Sequence, residues 1–180
     1  SSKGVDLAAE FYASILGGEI FDVREIKKRD KKPFAVMFPS VKDIESVAFL
    51  NKEELNAITS WQRPVVLLKQ KRQLTRSIND GLNTIGCMLP YIALHYQLFD
   101  NLRTEALVYT SCNISGEPNL TDNTTVVNTL KNRTDGIVMY DRQIWNRADD
   151  SVLQIINGKP QLIRRSRGYV PQSIDVDFYA

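Results

Sequence analysis

Cysteine is scarce in this chain of 180 residues: there are two, Cys87 and Cys112, and neither belongs to a CxxC pair. That excludes a disulfide framework and the common structural zinc motifs, and it suits a reducing cytoplasm. Histidine is scarcer still, with His95 alone. An HExxH zinc site cannot be written, and a Ser-His-Asp triad would depend on that one ring. The nine glycines form neither GxxxxGK[ST] nor a GxGxxG turn opening a helix, so the common phosphate loops are absent. No apolar run exceeds a handful of residues, too short to span a bilayer, and no partner membrane is expected. The opening residues lack the continuous apolar stretch of a secretory signal. The four N-x-S/T sequons at Asn113, Asn119, Asn123 and Asn132 are therefore treated as accidental. A formal net charge of +2 does not by itself argue for nucleic acid or membrane.

What remains is an ordinary soluble composition, 43% apolar and 24% charged, long enough for one domain with a sizeable core. Apolar spacing over residues 5–15 predicts a helix ended by Gly17-Gly18. Phe34–Phe38 reads as a buried strand between two prolines. Two short helices follow, the second capped by Asn51. Val65–Leu68 and Thr84–Leu89 read as strands, and Pro90–Asn101 as a helix with proline in its first turn. Ala106–Thr110 is a strand, Thr121–Lys131 a helix and Ile137–Tyr140 a strand. Ser151–Asn157 and Gln161–Arg165 read as a hairpin across Gly158-Lys159. Short strands alternating with helices predict a mixed α/β sheet in a single domain.

Three segments share a chemical theme. The basic run Arg24 to Lys32 leads into a core strand, where Lys27 and Arg29 could be held toward one anion instead of lying on a solvated face. Thr110 to Gly116 follows a strand with small hydroxyl and amide residues, which suit either a ligand or a capped turn. Asp141-Arg142, Arg147 to Val152 and Arg164 to Tyr169 place arginines around Asp149 and Asp150. Those arginines could pair with the two carboxylates or contact a triphosphate. Asp149 and Asp150, adjacent on a strand, point to opposite faces, which disfavours a paired acid/base mechanism. His95 fits a histidine packed at a helix surface better than a direct site role. An anionic nucleotide accounts for the three segments jointly.

The wording and order of these segments resemble the YrdC-like family. KKRDKKPFAVMFP is similar to its K-x-R motif, carried by Lys27 and Arg29, and TSCNISGEP to its S-x-N motif, carried by Ser111 and Asn113. NTIGCMLPYIALHYQLF, YDRQIWNRADDSV and IRRSRGYVP resemble the HypF branch more closely, so the likeness runs from about Arg24 to Pro171. It implies a YrdC/RibB-like twisted mixed β-sheet flanked by helices over residues 1–171, atypical or incomplete at 1–23. Residues 172–180 would then begin a linker to an absent carbamoyltransferase domain.

The resemblance further implies that the domain takes ATP, with Mg²⁺, and carbamate derived from carbamoyl phosphate, and makes carbamoyl-adenylate. Lys27 and Arg29 would act on the phosphates and the carboxylate as catalytic and binding residues. Ser111, Asn113 and Ser151 would orient the nucleotide, and Arg147 would add a phosphate contact. Acylphosphatase, zinc-finger and carbamoyltransferase domains would belong to the parent chain. The carbamoyl group would pass to the C-terminal cysteine of the hydrogenase maturation partner HypE, toward the cyanide ligands of [NiFe]-hydrogenase. Two alternatives follow from the same family: threonylcarbamoyl-adenylate synthesis for tRNA modification, and a non-catalytic module binding double-stranded RNA. Relatives that bind threonine show an R-x-P segment where this chain has Met88-Leu89-Pro90, which favours carbamate. The HypF branch's glycine-rich K-G-x-G-G-F-H-L segment is not spelled out here; Gly17-Gly18 lies only a few residues before Arg24.

Overall fold

The computed structural model describes residues 32–174, apart from 80, 103, 114, 115, 135, 140 and 142, together with the backbone of 10–14. Lys27, Arg29 and Arg142 lie outside the described residues. Seven strands among them form one mixed sheet: β1 (Glu10–Ser14), β2 (Ala35–Met37), β3 (Val65–Lys69), β4 (Thr84–Met88), β5 (Leu107–Ser111), β6 (Val152–Ile156) and β7 (Lys159–Arg164). Their order is β1-β5-β2-β4-β3-β6-β7, with β2–β4 and β3–β6 parallel and the other neighbours antiparallel. The helices are α1 (Val41–Val47), α2 (Lys52–Thr59), α3 (Arg76–Asn79), α4 (Ala93–Leu102) and α5 (Asn123–Leu130). The α/β architecture expected from the alternating pattern is the one observed.

Strand alternation sorts side chains onto two faces. One face carries Phe34, Val36, Val66, Leu68, Ile85, Cys87, Val108 and Leu153, and Ile44 of α1, Ile58 of α2 and Ile78 of α3 pack on it. Ile44, Ile58, Ile78, Val36, Val66, Leu68 and Cys87 are fully buried. Each such aliphatic side chain contributes about 2 kcal/mol by leaving water. The α2 end is fixed by a capping box: Glu54 N–H donates to Asn51 Oδ1 and Asn51 N–H to a Glu54 carboxylate oxygen, both at 2.8 Å. The Cys87 thiol is pushed far above its ordinary pKa by burial, so this sulfur packs as an apolar group. Cys112 is also buried.

The other face carries Met37, Met88, Leu107 and Val65 at one end, where α4 covers them with Phe99. Toward the opposite end no helix among the described residues covers this face. Among the described residues, no helix is long and apolar enough to cross a membrane.

Four local expectations change. Glu10–Ser14 is a strand paired antiparallel with β5, not part of a helix over 5–15. A helix of about ten residues is marginal alone, and the ladder offered by the β5 edge outweighs its apolar spacing. Residues 136–139 form no strand; only Ile137 is partly buried, against Cys112, Val126 and Leu130, while Val138 and Met139 are exposed. Helix α4 begins at Ala93, leaving Pro90 before it rather than in its first turn. The hairpin turn is Asn157-Gly158, with φ of 51° and 73°, and Lys159 already belongs to β7. Two left-handed residues in a two-residue loop match the right-handed strand twist.

Candidate functional site

The uncovered part of the second face is a cleft of about 460 Å³. Its floor follows from strand register: Tyr109, Ala35, Gly86 and Leu67 lie in one row across β5, β2, β4 and β3. Ala35 and Gly86 leave the centre of that row nearly bare. A Cβ added at Gly86 would come within 3.0 Å of Val65 Cγ1, so the glycine is required by its neighbour and also deepens the cleft. One row further in, Leu107, Met37, Met88 and Val65 are sealed under α4. One row outward, the lining turns polar with Ser111 and Thr84. A single sheet face thus grades from a closed apolar end to a polar mouth.

At the mouth, Ser111 ends β5 and Asn113 follows it. Ser111 Oγ donates to Asn113 Oδ1 at 2.9 Å, and Asn113 Nδ2 donates to the Glu117 carbonyl at 2.6 Å. Both residues line the cleft. The capped turn and the ligand-facing wall, alternatives in the sequence, are one structure: the turn bonds hold the pair where it faces the cleft. Lys32 and Arg164 bring positive charge to the lining, and Asp149 and Asp150 bring negative charge. The charge of Asp150 is met by Arg167 at 2.7 Å.

The remaining sequence candidates are placed elsewhere. Ser151 has no exposed surface and is absent from the lining. Its Oγ accepts from Ser166 N–H at 2.8 Å and donates to the Arg167 carbonyl at 2.9 Å. A direct nucleotide contact by Ser151 is therefore not what this structure shows; burial has turned the hydroxyl to the backbone of 166–167. Arg147 is exposed and also off the lining, with Nε donating to the Asn119 carbonyl at 2.7 Å. It anchors the loop behind Ser111 and Asn113, since Leu120 N–H donates to the Cys112 carbonyl. His95 is fully buried, not on a helix surface, with its ring 4.6 Å from that of Tyr91 and 5.7 Å from that of Tyr109.

The arginine-rich segment after β7 divides its labour. Arg164 reaches the cleft. Arg167 instead donates to Asp150 and to the carbonyls of Gln62 and Arg63, and its guanidinium carbon lies 3.7 Å from the Tyr91 ring centroid. Arg63 has a φ of 46°, a conformation that a bound carbonyl helps to hold. Gly168, at φ 82°, approaches Gln62 so closely that a Cβ would meet its backbone at 2.9 Å. Sequence reasoning passed over Tyr109 and Gly86 and took Arg164 only as one arginine of a run; register across the sheet, invisible along the chain, is what sets Tyr109 and Gly86 in one row. No cluster of three or more His, Cys, Asp or Glu able to hold a metal occurs among the described residues.

A family model described as telomere recombination, for Sua5, YciO and YrdC proteins, matches residues 18–166. The carbamoyltransferase HypF of Rhizobium leguminosarum bv. viciae is 40% identical over 166 residues, which cover 88% of this chain and 22% of that protein. A full-length HypF structure in the phosphate- and nucleotide-bound form superposes with a TM-score of 0.86 at 39% identity, over 91% of this chain and 26% of that one. The structure of T. kodakarensis HypF gives a TM-score of 0.88 at 37% identity, over 94% of this chain and 22% of that one. The chain thus spans about a fifth to a quarter of the length of these relatives.

Proposed function

The chain belongs to the Sua5–YciO–YrdC family, and on that premise we propose that it is the ATP-dependent carbamoyl-adenylating domain of a HypF-type carbamoyltransferase. The observation that carries the reading is the graded cleft, polar at Ser111 and Asn113 and nearly bare at Ala35 and Gly86. It supports a nucleotide phosphate at the mouth and a small acyl group deeper in. The related full-length HypF structure holds phosphate and nucleotide.

In the proposed reaction a carbamate oxygen attacks the α-phosphorus of ATP. The bond from that phosphorus to the β-phosphate bridging oxygen breaks, and pyrophosphate leaves with the electron pair. No protein nucleophile is required; alignment and charge neutralisation carry the rate. Lys27 and Arg29 supply the charge, joined by Lys32 and Arg164 from the lining. Ser111 and Asn113 orient the nucleotide with hydroxyl and amide groups. Ser151 and Arg147 act at one remove, by fixing the 166–167 backbone and the Asn119 loop. Mg²⁺ would neutralise the phosphate oxygens it bridges. In the longer protein, which would also carry zinc-finger segments, an acylphosphatase domain would supply carbamate from carbamoyl phosphate, and a carbamoyltransferase domain would pass the carbamoyl group to HypE.

The test is pyrophosphate release from ATP with carbamate, with and without threonine. Release that depends on carbamate and ignores threonine is expected. Release stimulated by threonine alone would move the chain to threonylcarbamoyl-adenylate synthesis. No release, with salt-sensitive binding of double-stranded RNA, would support the non-catalytic module instead.

A further inference from the structure

Four side chains, Tyr109, Tyr91, Arg167 and Asp150, form one line from β5 to the segment that leads into β6. The Tyr109 and Tyr91 hydroxyls lie 2.5 Å apart. Tyr91 packs against the cluster that includes Val65, Met88 and Tyr109, and the Arg167 guanidinium carbon lies 3.7 Å from its ring centroid. Arg167 in turn grips Asp150 through Nε at 2.9 Å and an η nitrogen at 2.7 Å. Tyr109 and Asp150, the two ends of the line, both line the cleft. Tyr91 and Arg167 stand off the lining and tie these two ends together. Behind the line the face is filled by Met37, Met88, Phe99 and Leu107; in front of it the floor is Ala35 and Gly86.

We infer that Tyr109, braced by Tyr91 and Arg167, is a specificity-determining residue that closes the deep end of the cleft and restricts the acyl group to an unsubstituted carbamoyl. The ring has nowhere to retreat. Its own exposure is 3%, the fully buried His95 ring stands 5.7 Å behind it, and its hydroxyl is tied to Tyr91. A packed wall of this kind rejects added methylenes, because interiors yield little to extra volume. Carbon added to the carbamoyl nitrogen would press on Tyr109, the buried ring that the cleft presents. The inference rests on the carbamoyl-adenylation reading.

The experiment is calorimetric binding of two stable adenylate mimics to the chain. One is 5′-O-(N-carbamoylsulfamoyl)adenosine, and the other is its homologue with an N-propyl group on the terminal nitrogen. The unsubstituted mimic is expected to bind about tenfold or more tighter than the propyl mimic, the scale on which pockets discriminate methylenes. Tyr109→Ala is expected to bring the two within about twofold, by opening the wall. An undiminished preference in Tyr109→Ala, or no preference in the unsubstituted protein that nonetheless binds both mimics, overturns the inference. Should circular dichroism show Tyr109→Ala unfolded, Tyr109→Leu is judged on the same ratio, since it shortens the plug while keeping the core apolar. Failure of the unsubstituted protein to bind AMP and both mimics would instead strike the adenylation reading.

Discussion

Arg167 holds Asp150 with two nitrogens on the same carboxylate oxygen, at 2.9 and 2.7 Å, while its remaining donors reach the carbonyls of Gln62 and Arg63 at 3.0 and 2.8 Å. One planar fork thereby joins the strand entering the cleft wall to the turn before β3. Both side chains are about four-fifths shielded, with 23% and 20% exposure, so the pair is screened less than a surface ion pair. Arg167→Ala is expected to destabilise the fold by about 3 kcal/mol, because Asp150 and two carbonyls lose their donor together. Arg167→Lys should recover only part of that, since an ammonium cannot reproduce the fork. Urea unfolding of both variants measures it; an Arg167→Lys variant as stable as the unsubstituted protein would show that charge alone suffices and would contradict the prediction.

Ser151 offers a cleaner separation of folding from binding. Its hydroxyl is buried and bonded on both sides to the 166–167 backbone. Ser151→Ala is expected to cost about 2 kcal/mol of stability, by stranding the Ser166 N–H and the Arg167 carbonyl. ATP affinity of the folded fraction should fall less than in Ser111→Ala, whose hydroxyl faces the cleft. Thermal unfolding and calorimetry on the two variants check both halves.

The start of α5 is predicted to respond to acid. Asp122 accepts from Thr125 N–H at 2.7 Å and from its hydroxyl at 2.8 Å. The backbone bond first, and the hydroxyl bond second, hold its carboxyl below the ordinary value. A folded-state pKa below the unfolded one gives stabilisation present above the unfolded value and lost as pH falls through the folded value. The first turn of α5 should therefore loosen below about pH 4, the ordinary aspartate range. Asp122→Asn keeps a capping oxygen and should flatten this dependence. The Thr125 amide shift, followed by NMR as pH is lowered, reads it directly.

Much of the fold was legible because local chemistry and tertiary structure agree. Asn51 followed by Glu54 spells a capping box, and the structure forms it. Pro-bounded Phe34–Phe38 and the Val65–Leu68 run are strands with one face packed against α1, α2 and α3 and the other sealed at Met37 and Val65, leaving Ala35 and Leu67 on the cleft floor. Agreement ended where pairing across the sheet decides. Glu10–Ser14 has helical spacing yet becomes a strand on the β5 edge, and Ile137–Met139 has strand composition but no neighbour to pair with.

The site was legible to the same degree. Ser111 and Asn113 announced themselves by residue type at a strand's end, and they do face the cleft. Ser151 looked equivalent along the chain, but one position before a strand its side chain is turned inward. Tyr109 carried no signal at all within LVYTS; its place opposite Ala35, and its tie to Tyr91 eighteen residues earlier, exist only in three dimensions.

The central claim, that this cleft binds ATP, is tested most directly by titrating ATP into the chain and into Lys27→Ala and Arg29→Ala. Calorimetry is expected to show saturable binding that weakens about tenfold or more in each variant, as loss of a charged phosphate contact requires. Equal ATP affinity in all three proteins, or no binding in the unsubstituted one, would contradict the account.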